Sequence, residues 1–225
     1  MSASSKRELT LDKLRVSAQT LILQSKWDEV GVQDIAKMAN VSIGTFYNYF
    51  ENKDAALDDL KKTLSVVLYR DLNALLKVVV EPLDQLTLLI KYFFELINTK
   101  NVWARYLLGG TEFSDRLEPS LSRSLCPILQ AGRNKGIFSV EVNRVVMEFI
   151  EKGLYGLLRQ ALEQQNNATD IANHCTELTL KMVGVPPRIA KQTSRRICPC
   201  TPLYALPISI LSLEVTSNEY TDNYS

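Results

Sequence analysis

Apolar residues recur at helical spacing along most of the first 184 positions of the chain. The longest such stripe follows Lys53 and has a leucine at every third or fourth position: Leu57, Leu60, Leu64, Leu68, Leu72 and Leu75. An apolar stripe with this period marks the buried face of an amphipathic helix. Glycine and proline, which interrupt helices, number only 9 and 8 in 225 residues. The pattern predicts an all-α protein.

Two shorter helical patterns, over residues 32–39 and 42–50, are joined by a tight turn. In the second pattern Phe46 and Phe50 lie four positions apart and therefore share one face. Asn40 tolerates the left-handed conformation that ends many helices, and serine, which opens the second pattern, is a preferred N-cap. The stretch predicts a helix, a turn and a second helix.

The outward side of the second helix is uncharged and rich in hydrogen-bonding groups. With Phe46 and Phe50 directed inward, the residues that remain outside carry hydroxyls, an amide and aromatic rings. We call them the recognition edge: Ser42, Ile43, Gly44, Thr45, Tyr47, Asn48 and Tyr49. Backbone amides at a helix start bind phosphate, whereas acidic side chains there would be repelled by it. The edge is typical of a helix that enters a DNA groove.

At these positions the sequence resembles the DNA-binding signature of the tetracycline-repressor (TetR) family of bacterial transcription regulators. The resemblance rests on Val41-Ser42-x-Gly44-Thr45-Phe46-Tyr47-x-Tyr49-Phe50-x-x-Lys53 and on the preceding Val32-x-Asp34-Ile35-Ala36. It extends over about residues 9–60 and becomes looser over 61–184, where helix lengths and leucine spacing carry it. Past residue 190 there is no resemblance.

The resemblance implies three regions and a regulatory function. Residues 1–52 are expected to form a three-helix, helix-turn-helix DNA-binding head, and residues 53–184 a helical effector-binding and dimerisation domain. An irregular C-terminal tail is expected over 185–225. The implied function is sequence-specific transcriptional regulation by a repressor that a small-molecule effector releases from a palindromic operator. The alternative is a helical interaction protein that uses the same head for a protein partner.

The resemblance also assigns DNA contacts to individual residues. In the family, the residues that match Tyr47, Tyr49 and Lys53 hold the phosphate backbone. Those that approach base edges match Gln33, Ile43, Gly44, Thr45 and Asn48. The chemistry agrees, because Gln and Asn pair with adenine, Thr donates or accepts, and an exposed Ile touches a thymine methyl. Many relatives carry a polar or basic residue where Ile43 stands. Partial core packing is the alternative role of the two tyrosines.

Two further sites follow from the looser resemblance. Five aromatic residues on neighbouring segments are expected to line a pocket for an apolar or aromatic effector, with an aromatic core as the alternative: Phe93, Phe94, Trp103, Tyr106 and Phe113. Two helices, over 141–164 and 169–183, have a wide apolar face that resembles the family's dimer seam. Its expected interface residues are Phe149, Gly153, Gly156, Leu157, Leu178 and Met182. A twofold dimer places two recognition helices about 34 Å apart and therefore predicts a palindromic operator.

The charge balance and the reactive side chains limit which kinds of function are expected. The first 64 residues carry equal numbers of basic and acidic side chains, so the strongly basic surface of many nucleic-acid binders is absent and a dimer is needed to double the contacts. Four cysteines and one histidine show no metal-ligand spacing, and we expect neither a metal nor a cofactor. The sequence contains neither a pattern of nucleophile and base nor a phosphate-binding glycine loop that would indicate an enzyme.

The chain has no apolar run near the ~18 residues of a membrane helix and no signal-peptide pattern, so a cytoplasmic location is expected.

Overall fold

The computed structural model of the chain describes residues 5–24, 27–98, 113–164, 168–197 and 207–211. These residues form helices and no strand, which confirms the predicted all-α class. The helices are α1 (Lys6–Gln24), α2 (Val32–Met38), α3 (Ile43–Tyr47), α4 (Lys53–Lys77), α5 (Pro82–Asn98), α6 (Phe113–Asn134), α7 (Arg144–Gln164), α8 (Ala168–Met182) and α9 (Pro187–Ser194). Within these ranges, none of the helices is long and apolar enough to cross a bilayer.

The chain divides into two compact units. The first unit contains residues 1–64 and 204–225, and the second contains residues 65–203. The division falls inside α4, so this helix contributes its first turns to one unit and its remainder to the other.

The first unit is built around apolar side chains from its short helices. Leu14 of α1, Ile35 of α2 and Phe46 of α3 are almost completely buried. Phe50 and Leu60 complete this core, and the rings of Phe46 and Phe50 lie 5.5 Å apart between centroids. Burial of these large side chains stabilises the arrangement because each removes its apolar surface from water.

The first helix begins at Lys6, one turn before Thr10. Thr10 is a good N-cap by type, yet it lies inside α1, where its hydroxyl donates to the Lys6 carbonyl. The cap is Ser5, whose Oγ accepts from the Glu8 amide at 3.2 Å while Glu8 Oε2 accepts from the Ser5 amide at 2.7 Å. This reciprocal capping box satisfies two amides that a helix start leaves free. It places Lys6 and Arg7 in the first turn of a helix.

The second unit is organised around α5, most of whose residues are buried. α5 packs against α6, α7, α8 and α9. Its Tyr92 is fully buried, and the phenol donates to the Asp71 carboxylate of α4 at 2.6 Å. The hydrogen bond satisfies this buried hydroxyl and fixes the contact between α4 and α5.

The expected irregular tail does not begin at residue 185. Residues Pro187–Ser194 form α9, with Pro186 as N-cap and Ala190 buried. Pro186 and Pro187 lie at the start of this helix, where proline is favoured because it has no amide hydrogen to satisfy. The regular structure therefore continues through residue 194.

Candidate nucleic-acid interface

The turn between α2 and α3 depends on one residue with a left-handed backbone. Asn40 has φ of +54°, as its role in leaving a helix requires. Its amide donates to Lys37 O at 3.1 Å, and the Val41 amide donates to Ala36 O at 2.9 Å. α2 itself starts at Gly31, whose amide donates to Asp34 Oδ2 at 2.8 Å. These local bonds fix where α3 begins.

Ser42 is the N-cap of α3, as the sequence predicted. Its Oγ accepts from the Thr45 amide at 3.0 Å and lies 2.8 Å from Thr45 Oγ1. The cap satisfies one amide and leaves others at the helix start directed outward. An anion near this end meets free amides and the positive end of the helix dipole.

Replacement of Ser42 by alanine is expected to destabilise the first unit by about 1 kcal/mol, because the Thr45 amide loses its acceptor. Thermal unfolding followed by circular dichroism measures this effect. Ser42→Asp is the matched control, since aspartate also caps helices and is expected to preserve the melting temperature. Equal stability of wild type and Ser42→Ala would show that the cap contributes nothing.

The recognition edge is exposed over most of its length. Ile43 and Tyr47 have exposed fractions of 43% and 56%, and Gly44 and Asn48 are also exposed. Phe46 lies between them in sequence and is fully buried, so the helix separates an inner from an outer side as predicted. The outer side presents an aliphatic group, a phenol and an amide without a charge. Such groups form hydrogen bonds and apolar contacts with base edges.

The two tyrosines of the edge occupy different environments. Tyr47 is exposed, and its ring meets Phe46 edge-on with centroids 5.6 Å apart. Tyr49 is half-buried, and its hydroxyl donates to the Arg7 carbonyl at 3.2 Å. The partial packing that was the alternative for both residues therefore applies to Tyr49. Its bond connects the end of the recognition edge to the first turn of α1.

Gln33 and Lys53 lie outside the recognition helix. Gln33 is exposed on α2, and Lys53 is half-buried as the first residue of α4. α4 is capped by Asn52, whose Oδ1 accepts from the Ala55 amide at 2.8 Å. The cap fixes the start of α4 and therefore the position of Lys53.

A charged pair that sequence analysis did not identify braces the first unit. The guanidinium of Arg15 on α1 donates to both oxygens of Asp59 on α4, from Nε at 2.7 Å and from a terminal nitrogen at 2.8 Å. Hydrogen bonding to Asp59 raises the pKa of Arg15. A two-point contact of this kind restricts both distance and orientation. It therefore holds α1 against the start of α4.

The predicted aromatic pocket is described only in part. Phe93 and Phe94 are buried on α5, while Trp103, Tyr106 and the side chain of Phe113 lie outside the described residues. Phe94 lines a cavity of about 190 Å³ in the second unit. The cavity is bordered by polar and charged side chains of α5, of α8 and of the residues after α9: Lys91, Glu95, Asn98, Thr169, Asn173, Arg195 and Arg196.

The predicted interface residues on α7 and α8 lie on a surface that the described residues leave partly uncovered. Phe149 and Leu178 have exposed fractions of 69% and 62%, and Leu157 and Met182 are half-buried. Gly153 and Gly156 are exposed, and a Cβ atom added at either would have no heavy atom within 4 Å. Glycine disfavours helix interiors, so its use at two open positions is not explained by packing within one chain.

Known proteins resemble this chain in its first unit and in its fold. Residues 16–60 match the sequence profile described as bacterial regulatory proteins, tetR family. No curated protein sequence matches the chain.

Solved structures of regulators share the fold at low sequence identity. RolR in complex with its ligand resorcinol is 24% identical with a TM-score of 0.71, over 86% of this chain and 97% of that one. The transcriptional regulator FadR from Bacillus subtilis, in complex with stearoyl-CoA, is 21% identical with a TM-score of 0.60, over 75% and 96% of the two chains. FadR of Thermus thermophilus, a TetR-family repressor in complex with lauroyl-CoA, is 18% identical with a TM-score of 0.59, over 85% and 98%.

Proposed function

We propose that this chain is a member of the tetR family of bacterial regulatory proteins, whose profile residues 16–60 match, and that it is a repressor that binds a palindromic operator as a homodimer in the cytoplasm. The observation that carries the proposal is the exposed recognition edge on a helix whose start is fixed by Ser42. Free amides at that helix start bind a phosphate, and the exposed side chains that follow meet the base edges.

The proposed contacts divide the edge into two functions. Tyr47 and Lys53 hold the phosphate backbone, with Tyr49 acting mainly as a support through its bond to Arg7. Gln33, Ile43, Gly44, Thr45 and Asn48 face the bases. The first unit is not strongly basic, so one copy binds DNA weakly, and two copies multiply the phosphate contacts.

The exposed face of α7 and α8 supports the dimer. Phe149 and Leu178 are exposed apolar side chains that a partner subunit would remove from water. Gly153 and Gly156 leave room for close approach by a second helix. Two helices from each subunit would form a four-helix interface, and its twofold axis would relate the two recognition edges.

The proposed effector is a small apolar or aromatic molecule that binds in the second unit. The cavity beside Phe94 is bordered mostly by polar and charged side chains. A larger cavity of about 420 Å³ in the same unit has an apolar wall that includes Leu75 of α4, Val79 and Leu88, and this composition suits an apolar ligand. Relatives of the same fold bind resorcinol or acyl-CoA. α4 contributes residues to both units, so a ligand that favours one position of α4 would change the DNA affinity.

Substitution of Tyr47 by phenylalanine tests the DNA contact without removing the ring that meets Phe46. Loss of one hydrogen bond to a phosphate is expected to weaken operator binding about tenfold. Fluorescence anisotropy with labelled DNA at low salt measures the affinity.

Tyr49→Phe is the matched control, because its hydroxyl is already bonded within the protein. It is expected to affect DNA affinity less than Tyr47→Phe. Unchanged affinity in Tyr47→Phe, with folding intact, would instead favour a head that binds a protein partner.

A further inference from the structure

A short segment near residue 210 binds α1, the first helix of the first unit. We call residues 207–211 the strap; both the strap and α1 belong to the first unit. Gln19 Nε2 donates to the Ile208 carbonyl at 2.9 Å, and the Ile208 amide donates to Gln19 Oε1 at 2.8 Å. One side-chain amide thus satisfies both backbone groups of a residue, as a neighbouring strand would.

Asp12 binds the next two residues of the strap. Its Oδ2 accepts from Ser209 Oγ at 2.6 Å, and its Oδ1 accepts from the Ile210 amide at 2.8 Å. Asp12 and Gln19 are seven residues apart, so they lie on the same side of α1, two turns from each other. The strap passes Gln19 first and Asp12 second, and therefore runs antiparallel to α1.

The burial of Gln19 indicates a built site and not an incidental surface contact. Only 1% of this residue is exposed, and a buried amide requires hydrogen-bond partners. The strap supplies two of them. Ile208, Ser209 and Ile210 are themselves half-buried.

We propose that α1 carries a binding face for an extended peptide, formed by Asp12 and Gln19, and that the strap is its occupant. The face selects a residue with a hydroxyl in an extended segment, because it binds two backbone amides, one carbonyl and the hydroxyl between the two amides. This proposal does not depend on the proposed DNA-binding function.

Amide hydrogen exchange of the full chain tests whether the strap is bound. The amides of Ile208 and Ile210 are expected to exchange about a hundredfold more slowly than in a synthetic peptide of residues 204–215, because each is bonded to α1. Equal exchange rates in the chain and the peptide would overturn the proposal.

Substitutions on each side of the contact test which groups form the face. Gln19→Met removes both bonds to Ile208 at similar size, and protection of the Ile208 amide is expected to fall to the level of the peptide. Lys13→Ala, at an exposed position of the same helix, is expected to leave protection unchanged.

Ile210→Pro provides a test that leaves α1 intact, in case Gln19→Met disrupts the helix. It removes the amide that donates to Asp12, so protection of Ile208 is expected to fall while α1 keeps its own protection. Undiminished protection of Ile208 in Ile210→Pro would contradict the assignment.

Discussion

Gly44→Glu is expected to abolish specific DNA binding while the first unit remains folded. A Cβ atom at Gly44 would meet only Ser42 Oγ, at 3.7 Å, which is an ordinary contact. The glutamate would direct a negative charge from the recognition edge towards phosphate. Like charges placed together at an interface oppose binding by several kcal/mol, so affinity should fall at least about a hundredfold.

The experiment compares DNA affinity with thermal stability in the same preparations. Gly44→Ala is the matched control, because it adds only the tolerated Cβ atom and no charge, and its affinity should stay much closer to that of wild type. A Gly44→Glu protein that melts at the wild-type temperature and binds DNA with wild-type affinity would exclude this edge from the interface.

Gly156→Leu is expected to leave the fold of the single chain stable and to disrupt the dimer. Open space surrounds Gly156, and leucine is favoured over glycine in helices by about 1 kcal/mol, so the fold of one chain should not be destabilised. A leucine at a close helix contact would prevent the two subunits from approaching. We expect a monomer that has lost most of its operator affinity, because each subunit then binds only one half-site.

Analytical ultracentrifugation gives the mass in solution, and anisotropy gives the DNA affinity. Ala74→Leu introduces the same side chain at an exposed position of α4, outside this face, and should leave both properties unchanged. A Gly156→Leu protein that remains a dimer would place the interface elsewhere.

The recognition edge was predictable because all of its determinants are local. Phe46 and Phe50 define the inner face by spacing alone, and Asn40 and Ser42 have the conformation and cap that their residue types favour. The start of α1 could also be predicted from the sequence, because Ser5 and Glu8 form a capping box at its usual spacing. Thr10 is a second residue of a suitable type, so residue type alone does not decide between the two possible helix starts.

Contacts between distant parts of the sequence were not predictable from periodicity. Arg15 and Asp59 are 44 positions apart, and Gln19 and Ile208 are 189 apart. Helical spacing identifies which face of α1 is buried, but it does not identify the segment that covers it. The start of α9 within the expected irregular tail was missed for another reason, because the pair Pro186 and Pro187 is compatible both with the end of a helix and with the beginning of one.

The aromatic residues of the second unit illustrate the same limit. Phe93 and Phe94 are adjacent in sequence and were assigned together to a pocket. Both are buried on α5, and Phe94 borders the cavity of about 190 Å³. The aromatic residues predicted either a pocket or an aromatic core, and only the packing of α5 against α8 distinguishes a cavity wall from a core residue.

Sequencing of the genomic DNA fragments that the purified protein retains at low salt, without effector, tests the central claim most directly. The account predicts enrichment of an inverted repeat whose half-sites are centred about one helical turn apart. Retention of fragments without any common repeat, or of no DNA at all, would contradict it.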